Sequence, residues 1–92
     1  MSATYTNITA TKQVKIGLGK LKSIFVSSGT SPTVAIYDSA TASTSDPVIV
    51  AQFTAAAPGL YQFTADMGGV NFSKGLYVVL GGTSPVVSVF YE

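Results

Sequence analysis

"GTSPTVAIYD" occupies residues 29–38 and "GTSPVVSVFY" occupies residues 82–91, so one four-residue punctuation recurs 53 positions later, each time before β-forming residues. Gly is free to take positive φ, and Pro fixes φ at the entry to the segment that follows it. Each copy is flanked on both sides by apolar runs, so each reads as a short hairpin connection between two strands. Val34, Ile36 and Tyr37 align with Val87, Val89 and Phe90, which suggests two similar hairpins in related positions of two packed sheets.

The rest of the chain agrees with that reading. Val, Ile and Thr supply 27 of 92 residues, and their stiff, branched side chains fit a pleated sheet better than a helix. Nine Gly and four Pro cut the chain into short pieces. The expectation is an all-β fold: a small antiparallel β-sandwich, jelly-roll-like, of about eight short strands. The strands fall in residues 1–11, 12–16, 20–28, 33–38, 48–54, 60–65, 76–80 and 86–92, and residues 66–75 read as a loop. Residues 1–11 are polar and Thr-rich, with Tyr5 and Ile8 as the large apolar residues. They read as an N-terminal arm on a single domain of residues 12–92, with Tyr5 and Ile8 as its docking residues.

Composition limits function. The chain is 47% hydrophobic and only 10% charged, with net charge +1. An average soluble domain is about 25% charged. No strong field favours nucleic acid or anionic lipid, and there is no Arg for bidentate contacts. No apolar run approaches the roughly 20 residues of a membrane-spanning helix. The start of the chain lacks the pattern of a signal peptide, so synthesis in a cytoplasm is expected. The chain has no His and no Cys, which removes conventional zinc sites, thiol chemistry and the usual base for a serine nucleophile. "GLGK" lacks the remaining glycines and the following helix of a phosphate loop, so Gly17 and Gly19 read as turn residues. Asp38 and Asp46 bracket a Ser/Thr-rich loop without the spacing of a calcium motif. Asp38, Asp46, Asp66 and Glu92 are all the acids, and Ser73 is adjacent to Lys74. None of these forms a catalytic pattern, and Asn7-Ile8-Thr9 is a glycosylation sequon without a secretory context. The expectation is a non-enzyme without a cofactor or metal.

Two features point to partners. Leu76, Val78 and Leu80 fill one face of a strand, while Tyr77 and Val79 fill the other. Val87, Val89 and Tyr91 likewise oppose Val86 and Phe90, and Leu21 and Phe25 oppose Ile24 and Val26. Strands apolar on both faces exceed what a thin domain covers, and such patches mark interaction surfaces. Tyr77 and Val79 are therefore candidate contact residues. Lys12, Lys15, Lys20 and Lys22 lie within eleven residues without an acid. They read either as a patch for an acidic partner or as protection of an edge strand.

"GLGKLKSIFVSSGTSPTVAIYDSATAS" and the ending "GLYVVLGGTSPVVSVFYE" resemble small β-sandwich structural proteins of tailed bacteriophages. The resemblance covers residues 17–92 and rests on loose motifs: glycine turns, "V-x-I-Y-D" and a closing "GLYV". It implies a virion component made in the host bacterial cytoplasm, of the capsid decoration or cement kind. Such proteins bind the major capsid protein on the outside of the head and are often trimeric, so self-association with a trimer favoured is implied. The family has no catalytic residues to carry over. The alternative is a head-fibre or tail-fibre domain that contacts host carbohydrate. That role would use aromatics on loops, and Phe72 alone looks loop-borne.

Overall fold

A computed structural model of the chain describes residues 4–62 and 69–92. Seven strands form one antiparallel sheet: β1 (Thr4–Ile8), β2 (Lys12–Ile16), β3 (Gly19–Tyr37), β4 (Val48–Thr54), β5 (Gly59–Gln62), β6 (Val70–Phe72) and β7 (Gly75–Tyr91). The fold is all-β, as the composition requires, and there is no helix among the described residues.

The GTSP segments are not hairpin turns. Each lies inside a single long strand, 19 residues for β3 and 17 for β7, and the two strands pair with each other along their length. A straight 19-residue strand would span about 60 Å at ~3.3 Å per residue. The longest dimension of the molecule is 31 Å, so both strands turn back on themselves. They do so where the two copies cross, at the Thr30–Thr83 pair. From Thr30 to Thr33 β3 advances three residues while β7 moves two, from Thr83 to Gly81. From Ser28 to Thr30 the imbalance is reversed, with β7 moving three, from Val86 to Thr83. Next to the central pair each strand thus carries one extra residue, on opposite sides, and β3 carries two more, between Val26 and Ser28 and between Leu21 and Ser23. Such bulges bend a strand and increase its twist.

The backbone repeats in kind. Gly29 and Gly82 have φ of 136° and 90°, and Ser31 and Ser84 have φ of 47° and 51°. The crossing is reciprocal. The space a Cβ would take on Gly82 is bounded by Ser31 and Pro32, and that of Gly29 by Pro85. Both prolines are buried. The motif therefore marks two bends locked against each other, and not two connections.

The bend folds the one sheet into two layers. In the first, β1, the end of β7, the start of β3, and β5 with β6 lie side by side. In the second, β2, the start of β7, the end of β3, and β4 do so. A shortest dimension of 19 Å suits two sheets about 10 Å apart with their side chains. Ile8, Leu21, Ile24, Val26, Phe72, Val87 and Val89 of the first layer meet Val34, Ile36, Leu76 and Val78 of the second. At the open side, Phe53 of β4 packs edge-on against Tyr61 of β5, with ring centroids 5.1 Å apart.

Several expectations change in detail. The eight strands become seven, because two pairs fuse and the 66–75 segment supplies β6. Phe72, read as loop-borne, is 2% exposed in the core. Leu21 faces inward together with Ile24 and Val26, because the register shifts between Leu21 and Ser23 and reverses the alternation. Residues 4–8 are not a free arm. They pair with β7 of the same chain over five positions, and Ile8 is 3% exposed, so it is a core residue rather than a docking residue. The expected strand end at residues 63–65 and the first three residues of the arm lie outside the described residues.

Candidate functional site

Among the described residues Asp38 and Asp46 are used to hold loops; Asp66 lies outside the described residues. Asp38, just after β3, accepts hydrogen bonds from the successive N–H groups of Ser73, Lys74 and Gly75, at 3.1, 2.7 and 3.2 Å, and from the Ser73 hydroxyl. Desolvation pushes its pKa up, but these donors together hold it below the usual carboxylate value. Ser73 and Lys74 thus serve the β6–β7 turn, the hydroxyl directed to Asp38 and the ammonium to Asp46. Asp46 is also held low, first by a hydrogen bond from Ser39, against some desolvation, and then by Lys74, whose Nζ lies 3.5 Å away. Among the described residues no three of His, Cys, Asp and Glu come together.

Gln13, which the sequence did not single out, organises this end. Its Nε2 lies within hydrogen-bond reach of the carbonyls of Ser39, Lys15 and Leu76, and its Oε1 accepts from the Ala42 N–H. Ser39 is fully buried, and its Oγ accepts from the N–H groups of Thr41 and Ser43. The 38–47 loop is thereby tied to the ends of β2 and β7.

The lysine cluster is spread over two strands, and three of its members meet at Glu92. Lys12 and Lys15 lie on β2, at the edge of the second layer. Lys20 and Lys22 lie at the start of β3, where Lys22 pairs with Glu92 at 3.3 Å. The Lys15 ammonium donates to the Glu92 carbonyl at 3.3 Å, and Lys20 exchanges two backbone hydrogen bonds with Glu92. Lys15, Leu18, Gly19, Lys20, Asn71 and Glu92 line an open pocket of about 270 Å³.

What remains is apolar surface, and cross-strand pairing assigns it to faces. Residues directly opposite in neighbouring strands share a face. On the outer side of the first layer, Tyr5 is opposite Phe90, and Leu60 is opposite Phe25. Tyr5 is 65% exposed and Leu60 55%, and the two phenylalanines are partly buried between them. On the outer side of the second layer, Val48, Tyr37 and Tyr77 lie in one row across three strands. The two tyrosine rings are 6.2 Å apart, and Val79 lies opposite Ala35. Tyr77 and Val79 are partly buried there. A third apolar feature is the β2–β3 turn, where Ile16 and Leu18 are 71% and 76% exposed. Alternation from Val14 would turn Ile16 inward, but a register shift between Gln13 and Lys15 accompanies its exposure. Leu60, Ile16, Leu18, Val48 and Val70 are exposed apolar residues that sequence reasoning missed. Leu60 follows Pro58-Gly59 in a strand too short to show its alternation.

Comparison with protein-family models, curated proteins and solved structures found no match for this chain.

Proposed function

We propose that the protein is a structural component of a phage virion that binds the outside of the capsid, in contact with the major capsid protein, and stabilises the shell. The observation that carries the proposal is the presence of apolar surface on both outer faces of one thin, cross-braced block. Such a block offers contact area and stiffness, and repeated weak contacts on a symmetric shell add up through avidity. The β2 edge, with Lys12 and Lys15, and the neighbouring Ile16 and Leu18 would meet an acidic surface that has an apolar socket. The resemblance in residues 17–92 supports the same role.

The test is add-back. Purified protein should bind shells that lack it and raise their thermal tolerance. Leu18→Ser combined with Lys12→Glu should weaken that binding while the circular dichroism spectrum stays that of the parent. Shells that neither bind the protein nor gain stability would overturn the proposal. Binding to host glycans instead would replace it with the fibre-domain alternative.

A further inference from the structure

Lys15, Lys20 and Lys22 meet at Glu92, which brings one carboxylate side chain to the group. Lys22 takes that carboxylate, at 3.3 Å. Lys15 and Lys20 form no side-chain ion pair among the described residues, and both line the pocket beside the β2–β3 turn. The Lys15 ammonium is held in place. It donates to the Glu92 carbonyl at 3.3 Å, and an ammonium has three N–H groups, so donors remain for a ligand. Gly19 gives it room. The φ of Gly19 is not positive, so the backbone does not call for glycine there, but the space does. A Cβ on Gly19 would lie 3.0 Å from the Lys15 Nζ and 2.8 Å from the Phe72 ring. Lys20 stands directly opposite Asn71 of β6, so their side chains share a face. Leu18, largely exposed, supplies an apolar wall.

We propose that this pocket receives the carboxylate of an Asp or Glu side chain, presented by an acidic segment of a partner protein. Two lysines without a carboxylate of their own line a site that also holds an amide and an apolar wall. A carboxylate accepts charge-assisted hydrogen bonds, about twice as strong as neutral ones. A surplus of cations also selects an acidic partner over a basic one. The Asn71 amide offers a further donor, and Leu18 is placed to cover the stem of the incoming side chain.

Size argues for a side chain rather than a free ligand. Small-molecule pockets hold roughly 300–1,000 Å³ and enclose most of what they bind. This pocket holds about 270 Å³ and is open, which suits one side chain whose own chain continues across Ile16 and Leu18. Ammonium–carboxylate pairs that water can reach are worth little singly, so one segment alone binds with roughly millimolar affinity. Repetition on a shell raises that through avidity. The inference deepens the proposed contact of the β2 edge with an acidic surface and rests on it for the partner. The preference of the pocket for a carboxylate is measured without a shell, so the two can fail separately.

The probe is the peptide acetyl-Leu-Glu-Leu-amide, titrated into the intact, isotope-labelled protein and followed by amide chemical shifts. The amides of Leu18, Gly19, Lys20, Asn71 and Glu92 should move together. Acetyl-Leu-Gln-Leu-amide, which lacks the charge, should bind about tenfold more weakly. Lys15→Gln with Lys20→Gln should weaken the Glu peptide about tenfold and leave the Gln peptide unchanged. Should that double variant lose the parent circular dichroism spectrum, Lys20→Gln alone carries the test, with a loss of about threefold. Pocket amides that stay still up to roughly ten times a millimolar dissociation constant overturn the inference, as does equal binding of the two peptides. Free glucuronate moving the same amides at lower concentration than the Glu peptide also overturns it, and assigns the pocket to an acidic sugar. A Glu peptide that binds as expected beside shells that do not bind leaves the pocket standing and removes the shell reading.

Discussion

The crossing of the two GTSP segments is tested by a pair of glycines with similar backbone angles and different surroundings. Gly82 has φ of 90° and Gly17 has φ of 103°, so alanine is strained at both. A non-glycine residue in that region costs about 1–2 kcal/mol, offset by roughly 0.4–1 kcal/mol from the reduced freedom of the unfolded chain. Gly17→Ala should therefore destabilise by about 1 kcal/mol, since nothing lies within 4 Å of the added methyl. At Gly82 the methyl would sit 2.5 Å from the Ser31 carbonyl oxygen and 2.8 Å from the Pro32 Cα. Both are backbone atoms of the partner bend and cannot rotate aside. Forcing an atom into a packed site adds about 1–3 kcal/mol, which puts Gly82→Ala near 3 kcal/mol. A chain of this size has roughly 5–14 kcal/mol in all. At about 4–8 °C per kcal/mol, the ~2 kcal/mol difference should make the Gly82 variant melt roughly 8–16 °C below the Gly17 variant. Thermal and urea unfolding followed by circular dichroism measure the gap. Equal melting of the two variants would refute the crossing, because an open hairpin turn at Gly82 would feel the backbone strain alone.

Four further outcomes are expected. Val78 is fully buried and Val79 partly buried on the outer face, so Val78→Lys should unfold the protein while Val79→Lys keeps the parent circular dichroism spectrum. Ile8→Ala should cost about 2–5 kcal/mol in urea unfolding, the range for truncating a buried Ile, and deletion of residues 1–11 should cost more, since it also removes β1. The Asp38 pKa is lower folded than unfolded, so its contribution is complete above the unfolded value near 4 and is lost as pH falls through the folded value. Unfolding midpoints of the parent should therefore fall below about pH 4 more steeply than those of Asp38→Asn. Gln13→Ala should destabilise by about 1–3 kcal/mol, because the Ser39 and Leu76 carbonyls lose a donor where the added space is part-buried.

The class of the fold was legible because β-branched composition and Gly/Pro spacing act locally, residue by residue. The topology was not, because a bulge and a turn draw on the same residues. Gly29-Thr30-Ser31-Pro32 permits either, and the choice is made by the second copy, 53 positions away, whose backbone fills the space beside Gly82. Strict alternation failed wherever the register shifts. Leu21 turned inward and Ile16 outward for that reason, since one extra residue reverses the faces beyond it. The surplus of apolar residues on β3 and β7 was readable. Its division between two outer faces was not, because Tyr5 and Leu60 reach Phe90 and Phe25 only through strand pairing.

The lysine cluster shows how one run of sequence can serve two ends. Lys12 and Lys15 belong to β2, a strand with an unpaired edge, where a charged side chain hinders pairing with a foreign strand. Lys22 sits at the bulge where β3 begins, and its charge is met by Glu92. Lys15 and Lys20 also bind the Glu92 backbone, so the β2–β3 turn is fastened to the end of β7. That fastening holds Ile16 and Leu18 outward on a braced turn. Ordering an exposed apolar tip before contact lowers the entropy lost on binding. Lys15→Met, which removes the ammonium that donates to the Glu92 carbonyl, should therefore leave the core and the melting temperature almost unchanged, because a part-exposed charged contact of this kind is worth at most about 1 kcal/mol. Amide exchange at Gly17 to Gly19 should still rise, read by hydrogen–deuterium exchange, and affinity for the shell should fall with it. Unaltered exchange at the turn would show that the Lys15 contact with Glu92 does not brace it, and that the structural role of Lys15 is only to guard the strand edge.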